Sequence, residues 1–271
     1  MLENISLRSQ CIHCMYVCSF RCQEGLKFLN ETEGQWQPRG GLVNHIWWHR
    51  GLYHFQLGQF EEALTLLDDV ILPNCRKMPE SFVLSDCTAL LMRLEMECKP
   101  QGVDLKDRWR EVANMYSGII EATATRHLFY DFHALLGCLY GDDMSSANKL
   151  LDSLTTFSRI SDRDYPEIYN GKLLNRFGLQ LCQGLKAFAE KEFDEAYTLL
   201  RPIRNDWNQC LSGSRAQVDI LNQVLIQAAI KSGNRHAAKQ LLKERWSTCG
   251  VQNSENPSFN SRLQQKIQAM I

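Results

Sequence analysis

Nowhere does the sequence reach the roughly 18 uninterrupted apolar residues that a membrane-crossing helix needs, so no membrane partner is expected. A surplus of charge is missing as well: 30 basic against 31 acidic residues give a formal net charge of −1. No global field therefore draws the chain to nucleic acid or to an anionic surface. Glycine-rich phosphate loops, GxSxG elbows and Walker-type motifs are absent, and with them the common signatures of nucleotide and acyl-transfer enzymes. Alternating runs of β-branched residues, the mark of half-buried strands, are also lacking. The opening MLENISLRSQ carries Glu3 and Arg8, and the apolar stretch behind it is interrupted by His13 and Arg21. That pattern does not suit a secretory leader, and a cytoplasmic protein without a cofactor is expected.

What the chain does have is the balance of an ordinary packed protein, with 44% hydrophobic and 23% charged residues. Its 11 cysteines are odd in number and scattered, which suits reduced thiols serving as small core residues. One cluster, Cys11, Cys14, Cys18 and Cys22, is spaced by three, four and four and lies along one stripe of a helix. Such a stripe rises about 16 Å over its length, whereas thiolates on zinc sit about 2.3 Å from the ion. One ion cannot hold all four, so the stripe is read as buried apolar surface.

Breaks fall at Gly34 to Gly41, Pro73 to Pro79, Lys99 to Asp104, around Gly141, Ser161 to Pro166, Ser212 to Ser214, and Gly250 to Pro257. Between them apolar residues recur at three and four, as in Leu84, Cys87, Leu91 and Leu94, and the segments read as amphipathic helices. Two segments repeat one another: GLYHFQLGQFEEALTLL from Gly51 to Leu67 and GLKAFAEKEFDEAYTLL from Gly184 to Leu200. In both, a Gly precedes an aromatic (Phe60, Phe193) by nine residues and an Ala (Ala63, Ala196) by twelve. This is the core of the tetratricopeptide pattern, in which a small residue lets two helices approach and the Ala marks their crossing. Trp47, Gly58 and Pro73 extend the first copy. A third copy, SGNRHAAKQLL, keeps the step from Gly233 to Ala238 but carries Arg235 in the aromatic place.

Helix pairs of this kind bury their apolar faces only by stacking on neighbours, so one continuous array is expected. The predicted fold is all-α, a tetratricopeptide-type solenoid of α-α helix pairs in a right-handed superhelical array. Residues 1–271 form one domain, with pairs at about 10–30, 43–72, 82–120, 126–158, 173–206 and 216–247 and a capping helix at 258–270.

From about Phe20 onward the chain resembles the tetratricopeptide repeat protein 38 family. The resemblance rests on HIWWHRGLYHFQLGQFEEALTLLDDVIL (His45 to Leu72), SDCTALLMRLEME (Ser85 to Glu97), FYDFHALLG (Phe129 to Gly137) and GSRAQVDILNQVLIQAAI (Gly213 to Ile230). It implies a cytoplasmic helical-repeat protein without a defined chemical role. Family members extend further at the N-terminus, so a shortened, partial or divergent member is implied, with the face near Cys11 to Cys22 left without its neighbour.

In arrays of this type the first helix of each pair lines a concave groove. Counting back from Gly51 puts His45, Trp48, His49 and Leu52 on that wall, and equivalent counting adds Asp86 and Asp131 at the level of His45. His133 falls nearer the core. A protein or peptide partner would dock there, with Trp48 and Leu52 supplying affinity and the polar cluster selectivity. The alternative is an enzyme or metalloprotein: His45 and His49, one turn apart, could share a metal that a carboxylate completes, or do acid–base work. Without the Glu of a zinc protease between them, the pair more often hydrogen-bonds to neighbouring helices. Arg215, Gln217 and Asp219 open the last main pair, to reach the groove's end or to cap their helix.

Overall fold

The computed structural model describes residues 21–36, 42–98, 102–165, 167–248 and 259–270. The Cys11, Cys14 and Cys18 part of the cysteine stripe, the helix expected around residues 10–18 and the turn at Gly250 to Pro257 lie outside them. The fold is all-α, and no strand occurs among the described residues. In chain order the helices are α1 (Cys22–Trp36), α2 (Val43–Leu57), α3 (Phe60–Leu66), α4 (Leu72–Lys77), α5 (Ser81–Cys98), α6 (Lys106–Ser117), α7 (Ile120–Thr123) and α8 (Leu128–Tyr140). There follow α9 (Met144–Asp164), α10 (Tyr169–Leu173), α11 (Leu179–Ala189), α12 (Phe193–Leu200), α13 (Arg204–Cys210), α14 (Arg215–Lys231), α15 (Arg235–Thr248) and α16 (Phe259–Gln268).

Local chemistry sets the ends. Gly58 takes the left-handed conformation (φ 79°) and returns its N–H to the carbonyls of His54 and Phe55, which closes α2 and turns the chain into α3. Ser214 and Gln217 form a reciprocal capping box at the start of α14. Asp143 accepts from the Ser146 N–H and starts α9. The break expected over Pro73 to Pro79 comes at its far end, where α4 stops at Lys77. A π-helical turn at Leu67–Ile71, in which the Leu72 N–H reaches back to the Leu67 carbonyl, carries the helix past Pro73, whose missing N–H falls at the start of α4. A second π-helical turn, Leu174–Gly178, joins α10 to α11.

Packing is repeat-like. The repeat alanines Ala63, Ala196 and Ala238 are fully buried. A Cβ on Gly184 would stand 2.6 Å from Leu200 Cδ2, and one on Gly51 would stand 2.9 Å from Leu90 Cδ2. Hydrogen at these positions lets the helices meet without moving the facing leucines aside. Helices α2, α5, α8 and α11 each pack on the next, while α3, α4, α6, α9 and α12 flank them.

The array is not left open along its inner side. Helix α14 packs on α12 and α15 and also folds back onto α5, and every residue of α5 from Val83 to Cys98 is buried. A helix with one solvent face would expose a stripe at the 3.6-residue period; α5 has neighbours all round, namely α2, α4, α6, α8 and α14. A polar seam joins α5 to α14. Gln217 Nε2 donates to Asp86 Oδ1 at 2.9 Å, Arg93 Nη2 donates to the Ala216 carbonyl at 2.8 Å, and Gln227 Nε2 stands 3.5 Å from Glu97 Oε1. Helix α16 lies across α15 and the end of α2, with Leu263 and Ile267 buried.

Candidate functional site

Helix α2 sets His45 and His49 one turn apart, α5 contributes Asp86, and the capped start of α14 contributes Gln217. Together they build a buried chain of polar groups. His45 Nδ1 lies 2.7 Å from Asp86 Oδ2, and His45 Nε2 lies 3.2 Å from His49 Nε2. Which ring nitrogen donates in each of these contacts follows from the tautomer of the two imidazoles. The His45 ring stacks on Trp48 at 5.0 Å and leans on Phe82 at 5.6 Å. The grouping of His45, His49 and Asp86 expected from spacing is thus present. Among the described residues no set of three His, Cys, Asp or Glu side chains is placed to hold a metal ion.

Accessibility is where the structure departs from the sequence reading. His45, Trp48, His49, Leu52, Asp86 and Asp131 are all buried, none of them more than 5% exposed. The residues counted onto an open wall are interior, and α14, folded back onto α5, covers Asp86 through Gln217. Between the two adjacent tryptophans, Trp48 is sealed in the core, while Trp47 is half-buried, edge-on to Trp36 and under Arg50.

Asp131, counted to the level of His45, makes its bond elsewhere. Its Oδ1 accepts from the backbone N–H of Thr125 at 3.2 Å, and Thr125 adopts a left-handed φ of 69° to present it. Oδ2 is buried with no hydrogen-bond partner. Burial pushes the Asp131 carboxyl up to about 7, against the lowering effect of the Thr125 N–H. His133 is interior, as counted. Its Nδ1 donates to the Phe129 carbonyl at 2.7 Å, its ring stacks on Phe132 at 4.1 Å, and burial lowers it to about 4.

Two charged residues that the sequence reading passed over, Arg93 and Arg245, hold the seam together with Asp219. Arg93 is fully enclosed, bonded to the carbonyls of Ala89 and Ala216, and burial lowers its guanidinium to about 10 while Asp219 raises it. Asp219 receives both Nε and Nη2 of Arg245 at 2.7 Å. Although burial pushes the Asp219 carboxyl up, Arg245, Arg93 and Gln223 together hold it below the usual range. The signal was in ALLMRLEMEC, where Arg93, Glu95 and Glu97 interrupt an apolar helix at every second position and so cannot share one solvent face.

An accessible recess lies between α13, α14 and α15. This cleft of about 620 Å³ has Leu225, Ile226 and Leu241 among its apolar lining and Asn205, Asn208, Gln209 and Asn222 among its amides. Its charges are matched internally: Arg204 Nε donates to Glu244 at 2.9 Å, and Arg245 belongs to Asp219. Asn208 and Asn222 donate to one another's Oδ1 at 3.1 Å, and Trp207 Nε1 donates to Asn222 Oδ1 at the same distance. Asn205 and Gln209 are exposed and point no side-chain hydrogen bond at the described residues. No family model and no solved structure matches this chain, so its architecture is read from its own packing and internal similarity.

Proposed function

We propose that this chain is a tetratricopeptide-type scaffold, akin to the tetratricopeptide repeat protein 38 family, that binds a peptide segment of a protein partner in the cytoplasm. The cleft between α13, α14 and α15 carries the reading. With its charges already paired, it offers a ligand neither a free cation nor a free anion. What remains is an apolar floor and two uncommitted carboxamides, Asn205 and Gln209, beside the amide pair of Asn208 and Asn222. A carboxamide presents the donor and acceptor set of a peptide group, so the complementary ligand is an uncharged stretch of main chain with apolar side chains. His45, Trp48, His49, Leu52, Asp86 and Asp131 then serve the inner wall as core and seam. The seven described cysteines, all free thiols and six of them buried, suit a reducing compartment.

The test is selection of binding peptides from a displayed random library on the purified chain, followed by Asn205→Ala with Gln209→Ala. Loss of about two hydrogen bonds should weaken the selected peptides roughly tenfold without moving the melting temperature. Equal affinity for the variant refutes the cleft as the site.

One observation favours a second reading, a metal or acid–base centre at His45 and His49. The Nε2 atoms face each other at 3.2 Å, and Asp86 orients His45 from behind. Elemental analysis and an activity screen decide it: stoichiometric metal that disappears in His45→Ala establishes the centre, and metal-free protein that turns over no substrate class removes it.

A further inference from the structure

Helix α16 is held on the rest of the molecule by a short and specific set of contacts. Arg262 Nη2 donates to the Phe55 carbonyl at 2.8 Å and Nη1 to the Gln56 carbonyl at 3.3 Å, with its guanidinium over the Phe60 ring at 5.0 Å. One turn on, Lys266 Nζ reaches Glu97 Oε1 at 2.7 Å. Leu263 and Ile267, next to each basic residue, are the apolar anchors, both buried. These bonds span up to 207 residues of sequence and join α16 to α2 and α5.

The receiving surface is finished without its guest. The Phe55 carbonyl already accepts the Gly58 N–H at 3.1 Å, so α2 is capped whether or not Arg262 is present. Phe55 and Phe60 rest on each other at 5.7 Å. The guest is not self-sufficient: α16 has 10 residues, below the roughly 12–15 at which an isolated helix becomes even marginal in water. Its helicity comes from docking. The surface offers a cation a seat, since the Glu97 side chain, 2% exposed, takes Lys266 Nζ at 2.7 Å, where an ion pair is little screened by solvent.

We infer that α16 is a displaceable self-ligand on a protein-binding surface formed by Phe55, Gln56, Phe60 and Glu97. The partner that fits is an amphipathic helix repeating the pattern of Arg262, Leu263, Lys266 and Ile267: two basic residues four apart, each followed by an apolar one. The basic pair would seat on the α2 carbonyls and on Glu97, and the apolar pair would fill the places of Leu263 and Ile267. This surface is separate from the amide-lined cleft, and neither proposal depends on the other.

The probe is a labelled peptide of residues 259–270, FNSRLQQKIQAM, added to the full chain. Arg262→Glu with Lys266→Glu in the chain disarms its own helix while leaving the surface intact. The peptide should bind this variant at least about tenfold more tightly than wild type, since it no longer competes with a tethered copy. Adding Glu97→Gln should reverse that gain by about the same factor. Equal binding to wild type and the disarmed chain, or binding to neither, overturns the inference. Should the disarmed chain fail to fold, hydrogen exchange on wild type decides: α16 amides should exchange at least about a hundredfold faster than those of α14, through local opening. Equal protection of the two helices means that α16 leaves only on global unfolding, and the inference falls. Library peptides that need Asn205 and Gln209 should bind the disarmed chain as before, which separates failure here from failure of the cleft.

Discussion

Arg93 Nη2 in α5 donates to the carbonyl of Ala216 in α14 at 2.8 Å, across 123 residues of sequence. The guanidinium is sealed from solvent, and its second bond goes to the Ala89 carbonyl one turn back on its own helix. Both acceptors are main-chain carbonyls within helices, so Arg93 adds bonds to groups that helix geometry already engages. Its main contributions are volume and position at the meeting of α5 and α14.

That distinction predicts the result of two substitutions. Arg93→Ala should cost about 3 kcal/mol, from the cavity and the lost seam bonds together. Arg93→Met restores the volume and removes a buried charge, and should recover more than half of that loss. Urea denaturation of the two variants checks the order; equal destabilisation would mean that the charge itself holds the seam.

Asp131 and His133 should give the protein opposing pH slopes. Burial raises the Asp131 carboxyl to about 7, so the folded state holds a proton that the unfolded chain releases near its ordinary value. Its contribution to stability is complete below about pH 4 and is lost as pH rises through about 7, a change on the order of 4 kcal/mol. His133, lowered to about 4, is buried neutral, and it withdraws stability as pH falls from about 6.5 toward 4. Asp131→Asn should therefore raise stability at pH 8 by a few kcal/mol and change little at pH 4. Denaturation midpoints at the two pH values test it, and an equal shift at both would remove Asp131 as the titrating group.

Gly137 should tolerate a methyl group less well than Gly51. A Cβ there would lie 2.6 Å from Tyr116 Cδ2, on a ring that is enclosed and bonded at 3.1 Å to Thr88. At Gly51 the nearest atom is the end of the Leu90 side chain at 2.9 Å, which can rotate aside. Gly137→Ala should cost about 2–3 kcal/mol and Gly51→Ala about 1 kcal/mol or less, as overpacking does when the neighbour cannot or can yield. Thermal melts of the two variants give the comparison.

Thiol chemistry should separate Cys210 from the buried cysteines. Cys210 is half-buried, whereas burial pushes Cys138 up to about 12 and raises Cys182 further. The thiolate is the reacting form, so site-resolved mass spectrometry after brief alkylation at pH 8 should find Cys210 modified at least about tenfold ahead of Cys138 and Cys182. Comparable rates at all three would show that the α8 and α11 cores open readily.

The helices were legible because apolar residues recur at three and four in nearly every segment, and the crossings because Ala63, Ala196 and Ala238 sit at fixed steps from a glycine. Continuation through Pro73 was not, since a π-helical turn just before it absorbs the missing donor and no residue pattern announces such a turn. The grouping of His45, His49 and Asp86 could be counted from the repeat. The cover that Gln217 gives Asp86 could not, because it depends on α14 meeting α5, a pairing between residues more than a hundred positions apart that no local period encodes. The amide cleft escaped for a related reason: Asn205, Gln209 and Asn222 lie on two helices whose relative placement is a property of the closed assembly.

The return of α14 to α5 also constrains how the length of this protein can change through duplication or loss of a helix pair. An open spiral accepts one more turn of the same design and merely grows longer. Here an added pair between α5 and α14 would swing Ala216 away from Arg93 and Gln217 away from Asp86, leaving charges stranded in the interior. The number of units between those two helices is therefore set by geometry, and descendants of this chain should vary in their loops long before they vary in that count.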